Sequence, residues 1–150
     1  MDRQGASPEQ IVAWIERIRP EISIILTLDT LEFARRSGRV KALQAALASI
    51  LNVKPIIVLT NGVLDMADRV RTRGKALDFV LDSTRQRLGD QPARVAIVHS
   101  QDLESAEILR ARAAQELNCR ELIITSLSIA VAANLGPGTV GITAYPVEAE

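Results

Sequence analysis

The stretch VAIVHSQDLESAEILRARAAQELNCRELIIT, residues 95–125, sets the expected architecture of the chain. It opens with the β-branched run 95–98 and closes with a second such run, 122–125. Asp102 is a good helix N-cap, and the residues that follow it place four apolar side chains on one helical face: Ala106, Leu109, Ala113 and Leu117. Strand, helix and strand at this spacing predict a right-handed crossover between two parallel strands.

A hairpin and a second long helix precede this unit. The dipeptide Asn61-Gly62 suits the positive φ angles of a tight turn, and the apolar runs 56–59 and 63–64 flank it, which predicts an antiparallel pair. Thr72 then opens a helix that ends at Gly89. Its inward stripe is Leu77, Val80, Leu81, Thr84 and Leu88. Together these elements predict an α/β (α+β) fold, a two-layer sandwich with a mixed sheet and helices mainly on one face.

The remaining predicted elements are shorter. They are a helix capped at Ser7 and stopped at Pro20, a strand over 22–28, a short helix from Thr30 to the Ser37-Gly38 break, an alanine-rich helix over 41–51, a short helix over 127–133 and a strand over 140–145. Ser7 with Gln10, and Asp29 with Glu32, have capping-box spacing. The small side chains of 41–51 suit either a ligand wall or an ordinary buried helix.

The composition of the chain argues against several classes of function. A chain of 150 residues is enough for one domain over 1–150, and its 18 basic and 18 acidic residues cancel, which removes the electrostatic reason to expect nucleic acid or an anionic membrane. The single Cys119 is expected to fill core space in a reducing compartment. No apolar run approaches a membrane span and the start lacks a secretory signal, so we expect a cytoplasmic protein.

Two turns contain the candidate binding residues. Arg39 follows the Ser37-Gly38 break, where a guanidinium fork can pair with a carboxylate, or can instead point into water. The turn Gly136-Pro137-Gly138 permits backbone amides to converge on an anion, although such a sequence is also an ordinary turn.

Other polar residues give weaker signals. Arg69, Arg71, Arg73 and Lys75 form a basic run, either a solvated face balanced by nearby aspartates or a docking surface for an acidic partner. The only histidine, His99, is expected to be structural or on the surface. No Walker loop, metal-ligand cluster or Ser/His/Asp set is present, so the sequence predicts neither an enzyme nor a cofactor or metal site.

Four segments together resemble the signature stretches of the DegV family: DTLEFARRSGRV (29–40), LNVKPI (51–56), RVRTRGK (69–75) and NLGPGT (134–139). The resemblance covers almost the whole chain but matches only the second of the family's two domains. It implies the C-terminal half of a fatty-acid carrier, whose N-terminal domain is absent here and whose bound carboxylate is presented to a separate fatty-acid kinase.

The resemblance also implies where the ligand lies. Its long-chain fatty acid would place the carboxylate near Ser37, Gly38, Arg39 and the turn at Gly136, Pro137 and Gly138. Asn134 stands where the family commonly has histidine, and an asparagine amide donates a hydrogen bond but does not titrate. Two alternatives stay open, a structural interaction module that has lost its pocket and an enzyme subunit similar in fold to dihydroxyacetone kinase.

Overall fold

The computed structural model describes residues 5–38, 52–60 and 62–147. Arg39, the alanine-rich segment 41–51 and Asn61 lie outside these ranges. The helices are α1 (Pro8–Ile18), α2 (Glu32–Ser37), α3 (Arg73–Leu88), α4 (Leu103–Glu116) and α5 (Ile129–Leu135). The strands are β1 (Ser23–Thr27), β2 (Lys54–Thr60), β3 (Val63–Val70), β4 (Ala93–Ser100), β5 (Cys119–Ser126) and β6 (Thr139–Pro146).

The strands form one mixed six-stranded sheet in the order β3-β2-β1-β6-β4-β5. Strands β4 and β5 are parallel and joined by α4, which confirms the predicted strand, helix and parallel strand. The hairpin β2–β3 is antiparallel, as predicted, and the other pairs are antiparallel as well. Strand β6 therefore lies between β1 and β4, although it follows them in the chain.

The main core lies between the sheet and the two long helices, α3 and α4. Every residue of the inward stripe predicted for α3 is buried, and so are Ala106, Leu109 and Ala113 of α4. Facing them from the sheet are Ile25, Ile56, Ile97, Val140 and Ile142, all at most 2% exposed. Because apolar burial contributes roughly 25 cal/mol for each square ångström removed from water, this layer stabilises the fold.

A second apolar cluster covers the opposite face of the sheet. Leu26 and Ile57 belong to it, while their strand neighbours Ile25 and Ile56 belong to the main core, because successive side chains of a strand point to opposite faces. The short helices α2 and α5 supply Leu31, Ala34 and Leu135 to this cluster. The helices thus divide unequally, with the two long ones on one face, in agreement with the predicted α/β fold.

Helix α2 begins at Glu32 rather than at Thr30, and Asp29 is not its N-cap. The Asp29 carboxylate instead pairs with the ammonium group of Lys54, which the β1–β2 pairing brings alongside. Thr30 Oγ1 accepts a hydrogen bond from the Glu32 amide at 3.2 Å. Asp29 is therefore engaged by a partner 25 residues away, and the predicted capping box does not form.

Helix α1 has the predicted capping box but little burial. Ser7 Oγ accepts from the Gln10 amide at 3.3 Å, and the Ser7 amide donates to Gln10 Oε1 at 2.8 Å. No residue of this helix is buried, and Ile15 on its predicted inward face is 49% exposed. Its contact with the sheet includes the edge-on stacking of Trp14 on Tyr145.

Candidate functional site

One residue from each of the four sequence segments contributes to a single junction at the end of β1. Asp29 pairs with Lys54, and the α-carbon of Gly138 packs on Asp29 so closely that a β-carbon there would lie 2.7 Å from Asp29 Cβ. Arg73 Nη2 donates to the Gly138 carbonyl oxygen at 2.7 Å. We call these four residues, Asp29, Lys54, Arg73 and Gly138, the four-segment junction.

The turn after α5 packs against α2. Gly136 has a φ of 88° and lies on the ring of Phe33, where a β-carbon would stand 2.7 Å from Cγ. Gly138 has a φ of 77°. Only glycine combines this backbone conformation with so close an approach, so the two glycines allow the two predicted binding segments to meet.

The amides of this turn are already bonded within the chain. The Gly136 amide donates to Ala132 O at 2.7 Å and the Gly138 amide to Ser100 O at 2.8 Å, while Pro137 has no N–H to offer. The structure therefore does not show the converging amides that the sequence suggested. The contribution of the glycines to this site is their close packing on α2.

The other predicted site residues lie at the ends of the same two helices. Ser37 Oγ donates to Ala34 O at 3.0 Å, and Gly38, with a φ of 63°, ends α2 by donating its amide to Arg35 O. Asn134 Nδ2 donates to Ala130 O at 2.6 Å. Arg39 follows Gly38 directly and lies outside the described residues.

An open groove of about 440 Å³ runs beside this turn. Its walls include Phe33 of α2, Pro137 and the start of α5, and its polar end is formed by residues of β4 and β5 that include His99 and Ser126. Ile129, the first residue of α5, is 89% exposed.

Two residues that line the groove, Phe33 and His99, were not assigned to the site from the sequence. Phe33 carries no signal of its own, because its importance comes from a glycine 103 positions later in the chain. His99, expected to be structural or on the surface, lines the groove, and its Nδ1 is buried without a hydrogen-bond partner in the described structure.

The four residues of the basic run differ in how exposed their side chains are. Arg69, Arg71 and Lys75 are exposed, as expected for a solvated face, but the Arg73 side chain is only 24% exposed. It pairs with the Asp102 carboxylate and donates from Nε to Ser105 Oγ at 3.1 Å. The expectation of a solvated side chain was therefore wrong for Arg73, because α3 begins where the N-terminus of α4 approaches it.

The groups at the N-termini of α3 and α4 shift the pKa of Asp102. Burial by itself raises the pKa of its carboxyl group, but the hydrogen bonds from Ser105 and the nearby Arg73 charge outweigh burial and hold the pKa below its ordinary value. Asp102 is thus ionised at neutral pH and fixes the Arg73 guanidinium. On the surface of α2, hydrogen bonds from Arg35 and Arg36 lower the pKa of Glu32 to about 2.

Within ranges 5–38, 52–60 and 62–147, no three potential ligands among His, Cys, Asp and Glu are grouped to hold a metal ion. None of the helices described combines the length and apolar character needed to traverse a bilayer.

A mixed six-stranded sheet with a glycine turn packed on a short helix is an α/β fold shared with solved proteins. The chain belongs to the DegV family, whose model, described as an uncharacterised protein of that family, matches residues 1–147. A DegV domain-containing protein of Deinococcus radiodurans is 32% identical over 98% of this chain and 53% of its own length. One from Caldanaerobacter subterraneus is 30% identical over 93% and 50%.

Solved structures agree with this assignment. A DegV-family protein from Thermus thermophilus, described as binding fatty acid, superposes with a TM-score of 0.88 at 33% identity, over 97% of this chain and 52% of its own. A fatty-acid-binding DegV-family protein from Streptococcus agalactiae superposes with a TM-score of 0.85 at 26% identity, over 98% and 52%. This chain spans about half the length of the curated relatives it matches.

Proposed function

We propose that this chain binds a long-chain fatty acid as the C-terminal half of a DegV-type carrier. The observation that supports this most directly is the four-segment junction, beside which a groove with apolar walls and a polar end opens between α2 and the turn after α5. Solved relatives at 33% and 26% identity are described as fatty-acid-binding proteins.

The second face of the sheet offers the acyl chain an apolar surface. Ile24, Leu64, Met66 and Ala96 pack against the second cluster but stay only partly buried in the described structure. Burying each methylene contributes roughly 0.8 kcal/mol, so a dozen contribute on the order of 10 kcal/mol before ordering costs. A chain that covers one side of the ligand gains only part of this, and we expect its own affinity to be modest.

The carboxylate is assigned to the turn at the end of α2. In this proposal Arg39 pairs with it, and Ser37, Gly38, Asn134 and the glycine turn shape its surroundings. Asn134 replaces a titrating group by a neutral amide, so binding near neutral pH should not depend on protonation at that position.

The rest of the carrier's function lies beyond this chain. We propose that a second domain of the same protein covers the other side of the ligand. A separate cytoplasmic kinase would then phosphorylate the presented carboxylate. In this division the chain itself is a binding protein and performs no phosphoryl transfer.

Calorimetric titration with palmitate and with hexadecanol, both below their aggregation thresholds, tests the proposal. These ligands have the same chain length and differ at the head group. Palmitate should bind more tightly, Arg39→Ala should remove the difference, and Arg39→Lys should restore part of it. Arg110→Ala is the matched control, because Arg110 is exposed and pairs locally with Glu107. Equal affinities of the unsubstituted chain for the two ligands would refute the carboxylate site. A nanomolar affinity for palmitate would refute the proposal that a second domain shares the ligand.

A structural module without a working pocket is the second candidate. Internal bonding of the Gly136 and Gly138 amides and of the Asn134 amide favours it, since these groups already have partners. The same titration separates the two, because a chain without a pocket would bind neither ligand.

A further inference from the structure

Arg73 is the first residue of α3, and its side chain reaches two other parts of the chain. Its Nη2 donates to the carboxylate of Asp102, the N-cap of α4, and to the Gly138 carbonyl oxygen at 2.7 Å. Its Nε donates to Ser105 Oγ at 3.1 Å. The start of α3, the start of α4 and the glycine turn are thereby joined through one guanidinium group.

The geometry of these bonds requires an arginine. A guanidinium presents five donors in a rigid plane, whereas a lysine ammonium is a point donor on a flexible stem. Three acceptors are engaged on Arg73, and its Nη1 is buried without an acceptor in the described structure.

Gly138 is fixed from both sides. Its amide donates to Ser100 O at 2.8 Å, and its carbonyl accepts from Arg73 at 2.7 Å. The two peptide units that flank its α-carbon are therefore held, although glycine has the greatest conformational freedom of any residue. Its packing on Asp29 and that of Gly136 on Phe33 then set the distance between the turn and α2.

We infer that Arg73 is a positioning residue that holds the glycine turn against α2 and so sets the geometry of the carboxylate site. The first half of this statement, that Arg73 holds the glycine turn against α2, stands apart from the proposed function. The second half, that Arg73 sets the geometry of the carboxylate site, rests on the proposed function. Asp102 and Ser105 act with Arg73 by orienting its guanidinium plane.

Amide hydrogen exchange by NMR tests the first half without any ligand. In Arg73→Ala the Gly138 amide should exchange at least about tenfold faster, since a hydrogen bond to a charged group is worth about 1.5–3 kcal/mol. The Ala93 amide, which donates to Asn118 O at the opposite end of β4, should be unaffected. Arg85→Ala is the matched control, because Arg85 also lies on α3 and pairs with Glu116 of α4 without contacting the turn.

The variant Arg73→Lys tests whether the effect of Arg73→Ala comes from a folding defect. It keeps the charge and should give an exchange rate between those of the unsubstituted chain and Arg73→Ala. Unchanged exchange at Gly138 in both variants would overturn the inference. Faster exchange at Ala93 as well as Gly138 would also overturn it, because that result indicates general destabilisation.

Titration with palmitate and hexadecanol tests the second half. Arg73→Ala should weaken palmitate binding about tenfold or more and leave hexadecanol binding within twofold, with partial rescue by Arg73→Lys. Equal weakening for both ligands would overturn the link to the carboxylate site. If the unsubstituted chain fails to discriminate between the ligands while Gly138 still responds to Arg73→Ala, the proposed function fails and the positioning of the turn stands.

Discussion

Gly136 lies directly against the aromatic ring of Phe33, and a β-carbon at this position would stand 2.7 Å from Cγ of that ring. The contact joins the turn after α5 to α2, two elements that are far apart in the sequence. Because φ at Gly136 is 88°, a side chain there would face both backbone strain and steric overlap.

Gly136→Ala should lower the free energy of unfolding by about 2–6 kcal/mol, the sum of backbone strain at positive φ with extended ψ and overpacking. Urea denaturation measures this. Gly89→Ala is the control, since its φ is 58° with a ψ of −140° but no atom lies within 4 Å of the added β-carbon, and its cost should stay near about 1–3 kcal/mol. Equal losses of unfolding free energy in the two variants would show that the Phe33 contact is unimportant. Non-additive losses in a double-mutant cycle of Gly136→Ala with Phe33→Ala would support the contact.

Asp102 should make stability depend on pH in the acid range. Its pKa is lowered in the folded state, so its contribution is present above the ordinary aspartate pKa and is lost as the pH falls below about 4. Asp102→Asn should therefore be less stable than the unsubstituted chain at pH 7, with a smaller difference at pH 3. Urea titrations at the two pH values provide the comparison, and a difference that does not change with pH would contradict it.

Cys119 should react slowly with alkylating reagents. Burial raises the pKa of its thiol, and Sγ lies 3.6 Å from Ala113 O beside the main core. Little reactive thiolate is therefore present at pH 8. Mass spectrometry after timed exposure to iodoacetamide should show much faster labelling in urea than in buffer. Equal rates would mean that the thiol is accessible in the folded chain.

Leu81 should be a major source of stability. Its side chain is 0% exposed in the main core, and Leu81→Ala should cost about 2–5 kcal/mol through lost burial and a cavity. Ile108→Ala in α4 is the control, because Ile108 is 48% exposed and its loss should cost about 0.5 kcal/mol or less. Similar denaturation midpoints for the two variants would contradict the assigned core.

Local signals predicted most of the fold correctly. The predicted caps at Ser7, Thr72 and Asp102 form because each side chain accepts from an amide three residues later. The predicted cap at Asp29 fails because Lys54 competes for the same carboxylate. Asp102 also has a distant partner, but it caps α4 through Oδ1 while Oδ2 pairs with Arg73, so both contacts form. At Asp29, by contrast, the helix starts later, at Glu32, and no cap is made.

The candidate site was less predictable, because its arrangement depends on contacts between distant segments. Arg73 and Arg71 look alike in the sequence, and only the approach of Asp102 makes one of them structural. The family resemblance assigns the 134–138 turn and the α2 segment to one site, and in the structure Gly136 packs on Phe33 of α2. The sequence left open whether the amides of this turn converge on an anion or belong to an ordinary turn, and those of Gly136 and Gly138 are bonded to Ala132 and Ser100.

The position of β6 has a consequence for the order in which the molecule is built. Strand β6 is the bridge between β1 and β4, so a nascent polypeptide that ends before residue 139 has two separate sheet fragments, β3-β2-β1 and β4-β5. Each fragment then exposes an unpaired edge until β6 inserts between them. The sheet can therefore be completed only after the segment up to residue 146 has been made.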